Sequence, residues 1–228
     1  MSWPPSHAIW PDTQTLKRSA PLAEHRPVDF WRGDFGSEYI GRNTADAAAV
    51  RQRTRSWGCY LQSILPDLPR SILEVGCSIG INLRALNNLV DADLHGLEPN
   101  DAARRVLAEE GVLPKSHIHE GEAKSLPFKD GQFEMTFTTG VLIHVPPSEL
   151  PAAMDELYRV SSKYILMSEY FAHEPEEKTY RGQHGLLFKR DFGGFMLDRH
   201  PDLTIVDYGF QWMRAGAADN GHWWLFRK

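Results

Sequence analysis

Between residues 71 and 168 the chain alternates short apolar runs with helix-length amphipathic segments, and that rhythm admits few folds. The spacing predicts strands at 71–75, 92–97, 116–120, 133–138 and 164–168. Helices are expected at 79–89, at 101–110 (stopped by Gly111) and at 147–160, where Pro147 and Ser148 open the helix. Strands separated by helices imply β-α-β units, hence a parallel sheet with helices on both faces. An amphipathic helix at 46–65, closed by Pro66, precedes the first strand. After residue 170 the pattern changes. Residues 171–189 carry little periodicity, 190–199 reads as a helix, and 203–210 with 222–227 read as a hairpin-like strand pair.

Composition narrows the function classes. The chain has 228 residues, 42% hydrophobic and 24% charged, as an ordinary globular protein has, which excludes collagen-like, coiled-coil and wholly disordered chains. The formal net charge of −5 gives no global attraction to nucleic acid or to an anionic membrane, so neither is expected as a partner. Two cysteines, Cys59 and Cys77, are too few for a disulfide scaffold. No segment has the ~18 consecutive apolar residues of a membrane span, and the N-terminus lacks the basic and apolar regions of a secretion signal; a cytoplasmic location is expected. Residues 1–28 form a proline-rich arm, with Trp3 and Trp10 as anchors onto the body or as part of a loose tail.

In open parallel sheets ligands bind beyond the carboxyl ends of the strands. The first strand runs into Glu74-Val-Gly76-Cys77-Ser78-Ile-Gly80-Ile-Asn82. Gly76 permits a tight turn and Gly80 a close backbone approach. The spacing is G-x-x-x-G, not the dinucleotide fingerprint, and the preceding Glu74 disfavours a pyrophosphate while favouring a cationic ligand. The second strand ends in Glu98-Pro99-Asn100, where a carboxylate can accept both hydroxyls of a ribose. The third leads to Glu122-Ala123, suited to an adenine amino group, and the fourth to Thr139-Gly140-Val141-Leu-Ile-His144. Each feature alone is also compatible with a structural turn or cap; four in order, each at a strand end, point to a nucleoside-bearing, positively charged ligand.

These stretches resemble the motifs of class I S-adenosylmethionine-dependent methyltransferases. More narrowly, the chain from about residue 28 onward is similar to the pseudaminic acid biosynthesis-associated methylases. The carrying residues are 30–43, 140–145, 155–160, 180–192, 198–203, 207–210 and 223–225. The resemblance implies a Rossmann-like α/β fold with a mostly parallel seven-stranded sheet and an antiparallel C-terminal strand. It implies S-adenosyl-L-methionine as cofactor and S-adenosyl-L-homocysteine as product. Glu74, Gly76, Cys77, Ser78, Gly80 and Asn82 would border the amino acid end of the cofactor. Glu98 with Pro99 would hold the ribose, Glu122 and Ala123 the adenine, and Thr139, Gly140 and Val141 the sulfonium side. Ser78 stands where many such enzymes have a second glycine. The expected organisation is a single domain over 29–228, with lid helices at 29–66 and an acceptor-side insert at 171–189.

Methyl transfer to a hydroxyl needs a base, and His144 holds the position for one; packing of the loop before Pro146 is the other reading. Tyr170, His173, Tyr180, Arg181, His184, Lys189 and Arg190 give the insert groups that suit a small polar acceptor such as a sugar or sugar acid, with Tyr170, Tyr180, Arg181 and His184 the leading substrate contacts, or make an ordinary solvated loop. Trp31, Tyr39, Arg42 and Asn43 supply a lid over the cofactor or an anchor for the first long helix. No metal is expected: His117-x-His119 shares one face of a strand, but no third ligand follows at a recognisable spacing. The expected protein is a small-molecule methyltransferase, monomeric or homodimeric. A macromolecular (RNA or protein) methyltransferase, a catalytically silent cofactor-binding subunit and a nicotinamide-dependent oxidoreductase are the alternatives.

Overall fold

The structure, a computed structural model, describes residues 27–41, 45–215 and 220–228. The N-terminal arm up to residue 26, Arg42 and Asn43 lie outside the described residues. Three helices, α1 (Pro27–Arg32), α2 (Asp34–Ile40) and α3 (Ala47–Gln62), precede β1 (Ser71–Val75). Then follow α4 (Ile81–Leu86), β2 (Asp93–Leu97), α5 (Asp101–Glu109), β3 (Ile118–His119), β4 (Phe133–Thr139), α6 (Leu150–Val160) and β5 (Ser161–Tyr170). The chain ends in β6 (Glu176–Tyr180), β7 (Gln183–Lys189), α7 (Phe192–Arg199), β8 (Thr204–Gln211) and β9 (Gly221–Arg227).

Seven strands form one sheet in the order β3-β2-β1-β4-β5-β9-β8. β9 alone runs against its neighbours, pairing antiparallel with both β5 and β8. The chain lays strands outward from β1 to β3 and then returns to place β4 on the other side of β1. That reversal opens a crevice between the carboxyl ends of β1 and β4. Burial on both faces explains why these strands read as nearly continuous apolar runs. Along β5, Tyr164 and Leu166 enter one core with Trp57, Leu83 and Leu107 from α3, α4 and α5. Ile165 and Met167 enter the opposite core with Leu150, Met154 and Phe192 from α6 and α7.

Helix boundaries follow from local chemistry. Asp46 caps α3 by accepting from the amides of Ala48 and Ala49, both at 2.8 Å. α4 starts after the expected residue 79 because Gly80 takes a left-handed φ of 76° immediately before it, and it ends at Leu86, short of the expected 89, in a turn. β3 shrinks to two residues because a 3-10 turn over Lys115–His117 occupies its expected start. The expected helix at 147–160 begins only at Leu150, after a turn through Pro146 and Pro147.

The largest departure is at 171–189, where β6 and β7 form a separate antiparallel hairpin. Its two-residue turn, Arg181-Gly182, has φ of 51° and 80°, the doubly positive pattern that matches the twist of a hairpin. Gly193 lets α7 approach β9 closely: a Cβ there would lie 2.3 Å from Trp224 Nε1. Gly193→Ala is therefore expected to destabilise the protein by about 1–3 kcal/mol through overpacking. Urea unfolding monitored by tryptophan fluorescence checks this; an unchanged midpoint would contradict the close packing of α7 on Trp224.

Candidate cofactor and acceptor site

One cavity, with about 1020 Å³ of empty space counting its open mouth, sits at the β1–β4 crevice. Its floor begins with the turn after β1. Gly76, Ser78 and Gly80 all have positive φ (76°, 48° and 76°), which curls residues 76–80 into a tight turn. Ser78 is a non-glycine residue in this region, which explains why glycine suits the position. Gly76 and Cys77 donate to the Leu97 carbonyl at 2.7 and 3.1 Å, tying the turn to β2. A Cβ on Gly76 would meet Val141 Cγ2 at 2.6 Å, so only glycine lets the loop after β4 close over the turn.

Glu98, at the end of β2, is 7% exposed. Its Oε2 accepts from the Ser78 amide and its Oε1 from the Asn100 amide, each at 2.8 Å. Burial pushes its pKa above the usual carboxylate range, against those two bonds. Gly76, Ser78, Glu98, Pro99, Glu122, Ala123, Thr139, Gly140 and Val141 all line the cavity. Glu74, Cys77, Gly80 and Asn82 lie behind this wall. Glu74 Oε1 accepts from Asn82 Nδ2 at 2.5 Å, and Asn82 Oδ1 accepts from Trp57 Nε1 at 3.3 Å. Burial raises the Cys77 thiol well above its ordinary pKa, consistent with packing rather than nucleophilic work.

α1 and α2 cover the cavity, and Trp31 and Tyr39 line it. Asn100, absent from the sequence-based site, anchors them: its Nδ2 donates to the Trp31 carbonyl at 2.8 Å while its Oδ1 caps α5 through the Ala103 amide at 3.1 Å. Arg32 adds an ion pair to Glu122 at 2.7 Å. Gly36 is required here, since a Cβ would lie 1.9 Å from the Trp31 carbonyl oxygen.

His144 also lines the cavity. Its Nδ1 lies 2.6 Å from the Leu186 carbonyl of β7. A carbonyl only accepts, so Nδ1 carries the proton and Nε2 keeps the lone pair. Burial lowers the His144 pKa to about 4, which keeps the ring neutral at physiological pH. The ring packs against Trp31 at 4.6 Å and Tyr180 at 5.3 Å between centroids. Tyr180 also meets Phe35 at 6.1 Å, so the turn end of the β6–β7 hairpin and the helical lid meet beside His144.

The rest of the expected acceptor set is dispersed. Arg181 occupies the exposed hairpin tip with its guanidinium over the Tyr180 ring at 5.7 Å, and exposed His184 lies 3.9 Å from Glu177. Tyr170 closes β5 beneath Lys189, whose Nζ is 5.6 Å from its ring. None of Tyr170, Tyr180, Arg181 and His184 lines the cavity.

Sequence reasoning also passed over Glu169. It is 2% exposed, and its carboxylate accepts from the amides of Val141 (3.3 Å) and Ile143 (3.4 Å), fixing the 3-10 turn that presents His144. Burial raises its pKa to about 7. An acidic residue closing an otherwise apolar buried strand was the available signal.

Burial raises the Glu74 pKa to about 8, and its Oε2 has no partner among the described residues. The folded state therefore holds a proton that the unfolded chain releases near pH 4.5, so stability falls as pH rises through the window from about 4.5 to 8. Glu74→Gln keeps the acceptor for Asn82 and removes the ionisation. The variant should stay close to the parent at pH 5 and exceed it at pH 9 by roughly 3–5 kcal/mol, the rise from 4.5 to about 8 taken at ~1.4 kcal/mol per pH unit. Thermal melts across that range check this, and parallel pH slopes for the two proteins would contradict the burial of an ionisable Glu74.

Residues 72–163 match a family model described as a methyltransferase domain. A probable chloroplastic tocopherol O-methyltransferase of Oryza sativa subsp. japonica is 32% identical over 130 residues, covering 54% of this chain and 35% of that protein. The chain thus spans about a third of that relative's length. Among solved structures, the 1,6-didemethyltoxoflavin-N1-methyltransferase of Burkholderia thailandensis, with bound 1,6-didemethyltoxoflavin and S-adenosylhomocysteine, superposes with a TM-score of 0.66. It is 18% identical, over 92% of this chain and 93% of that one. Magnesium protoporphyrin IX methyltransferase from Synechocystis PCC 6803, with bound S-adenosylmethionine, gives 0.64 at 12% identity, over 91% and 100%. S-adenosylmethionine fits the residues present: buried Glu98 borders the cavity, and Thr139 Oγ1 is buried there with no partner among the described residues. Residues 72–163 thus resemble a methyltransferase domain, and the chain shares the Rossmann-like α/β fold of the methyltransferases it superposes on.

Proposed function

We propose that this chain transfers the methyl group of S-adenosylmethionine to an oxygen or nitrogen of a small polar metabolite. The observation that carries the reading is one cavity in which Glu98 and Glu122, at successive strand ends, share a wall with His144 under an aromatic lid. The cofactor, when bound, supplies an electrophilic methyl on a sulfonium. Glu98 would accept the ribose hydroxyls and Glu122 with Ala123 would border the adenine. Trp31 and Tyr39 would exclude water from the cofactor.

His144 Nε2 is the unprotonated nitrogen, placed to accept a proton or hydrogen bond from an acceptor hydroxyl as its oxygen becomes nucleophilic. Its low pKa makes it a weak base that stays unprotonated down to about pH 5. Its contribution is therefore orientation of the hydroxyl together with proton removal. The Trp31 ring, which lines the cavity beside His144, suits the apolar face of a sugar ring, and the resemblance to pseudaminic acid biosynthesis-associated methylases favours a sugar or sugar acid acceptor. Net charge −5 and small-molecule methyltransferases among the relatives support a metabolite over RNA or protein.

The test is transfer of isotope-labelled methyl from S-adenosylmethionine into a size-fractionated extract of the source cells. Label in the small-molecule fraction is expected, and label confined to protein or RNA would overturn the acceptor class. With the acceptor in hand, His144→Gln should lower kcat by about 10²–10⁴-fold at unchanged cofactor affinity. An unchanged kcat would remove His144 from the chemistry.

A further inference from the structure

The far edge of the sheet gathers three histidines and one carboxylate that the cofactor site does not use. Asp93 and His95 lie two residues apart on β2, on one face of the strand. His117, in the 3-10 turn before β3, stacks on His95 with centroids 4.1 Å apart and planes within 15°. His95 Nε2 is 3.1 Å from Asp93 Oδ2; His117 Nδ1 is 3.3 Å from Asp93 Oδ1 and 3.2 Å from the Leu94 carbonyl, a hydrogen bond that ligation through Nδ1 would replace by a shift of the proton to Nε2. One ligand atom from each of the three lies within 4.8 Å of the others. His117-x-His119 lacked a third ligand in sequence. The pairing of β2 with β3, Gly96 opposite Ile118, brings Asp93 and His95 to it from more than twenty residues away.

We propose that Asp93, His95 and His117 form a binding site for a borderline divalent transition-metal cation such as Zn²⁺, Ni²⁺ or Co²⁺. Two imidazoles and one carboxylate are the donor set that such ions take, with the remaining positions left to water. The support around the set matches what a ligating imidazole needs. His95 Nδ1 lies 3.1 Å from His119 Nε2, so its second ring nitrogen is engaged and the ring cannot turn freely. Phe133 packs edge-on against His95 at 5.1 Å, and Phe128 against His119 at 4.8 Å, holding both rings from the core side. Asp93 and His117 remain open to solvent, which gives an ion a way in. The ion would replace the proton between His95 Nε2 and Asp93. It would also clip the two-residue β3 to β2, just before the strand ends that carry Glu98 and Glu122.

The experiment uses the untagged, chelator-treated full chain, titrated with Zn²⁺ by calorimetry and with Co²⁺ by visible absorption. One equivalent with visible cobalt bands is expected, together with a Zn²⁺-dependent rise in Tm. His95→Ala and, as a milder change at a more open position, His117→Gln should each abolish the equivalent. His119→Ala should weaken it about 10–100-fold. A dissociation constant weaker than about 1 mM in the parent, or a full equivalent retained in His95→Ala or His117→Gln, would overturn the proposal. The readouts are independent of methyl transfer, so this outcome and that of the proposed function are distinguishable.

Discussion

The pocket depends on the Glu98 carboxylate, which accepts the Ser78 amide from the turn after β1 and the Asn100 amide from the start of α5. Two parallel strands and the helix that follows the second are thus joined by one buried side chain. The same Asn100 caps α5 and holds the Trp31 carbonyl, so the lid is attached to the residues that form the cavity floor. Parallel sheets leave such groups at their carboxyl ends because each strand must turn there into a helix. The turns in this chain depend on left-handed residues at 76, 78 and 80.

A second buried carboxylate plays the matching part on the acceptor side. Glu169 holds the amides of Val141 and Ile143, and the β7 carbonyl of Leu186 fixes the His144 tautomer. Both groups are positioned by backbone rather than by flexible side chains, which favours a preorganised site. The burial that organises them also shifts their protonation: Glu169 rises to about 7 and His144 falls to about 4. Each shift keeps a neutral form in a desolvated place.

Much of the sheet was legible because buried parallel strands are short, apolar and separated by helices of recognisable period. The strand-end residues Glu98, Glu122 and Gly140 were legible for the same reason, since position follows from strand order. The β6–β7 hairpin was not. Residues 176–185 face solvent on both sides in large part, so no period-two signal arises, and Arg181-Gly182 is not among the common hairpin dipeptides. Asn100 and Glu169 were missed because their partners, Trp31 and the 141–143 turn, lie 69 and up to 28 residues away. The Asp93, His95 and His117 set likewise exists only through strand pairing. The scatter of Arg181 and His184 onto an exposed tip reflects a turn whose direction a sequence pattern does not encode.

The most direct test is calorimetric titration of the full chain with S-adenosylhomocysteine, beside NAD and beside Glu98→Ala. The expected result is one site per chain for S-adenosylhomocysteine, none for NAD, and affinity lowered in Glu98→Ala by about 1.5–3 kcal/mol, the range for hydrogen bonds to a charged group. Binding of NAD in preference to S-adenosylhomocysteine, or equal S-adenosylhomocysteine affinity in the parent and Glu98→Ala, would contradict the assignment of the strand-end carboxylates to this cofactor.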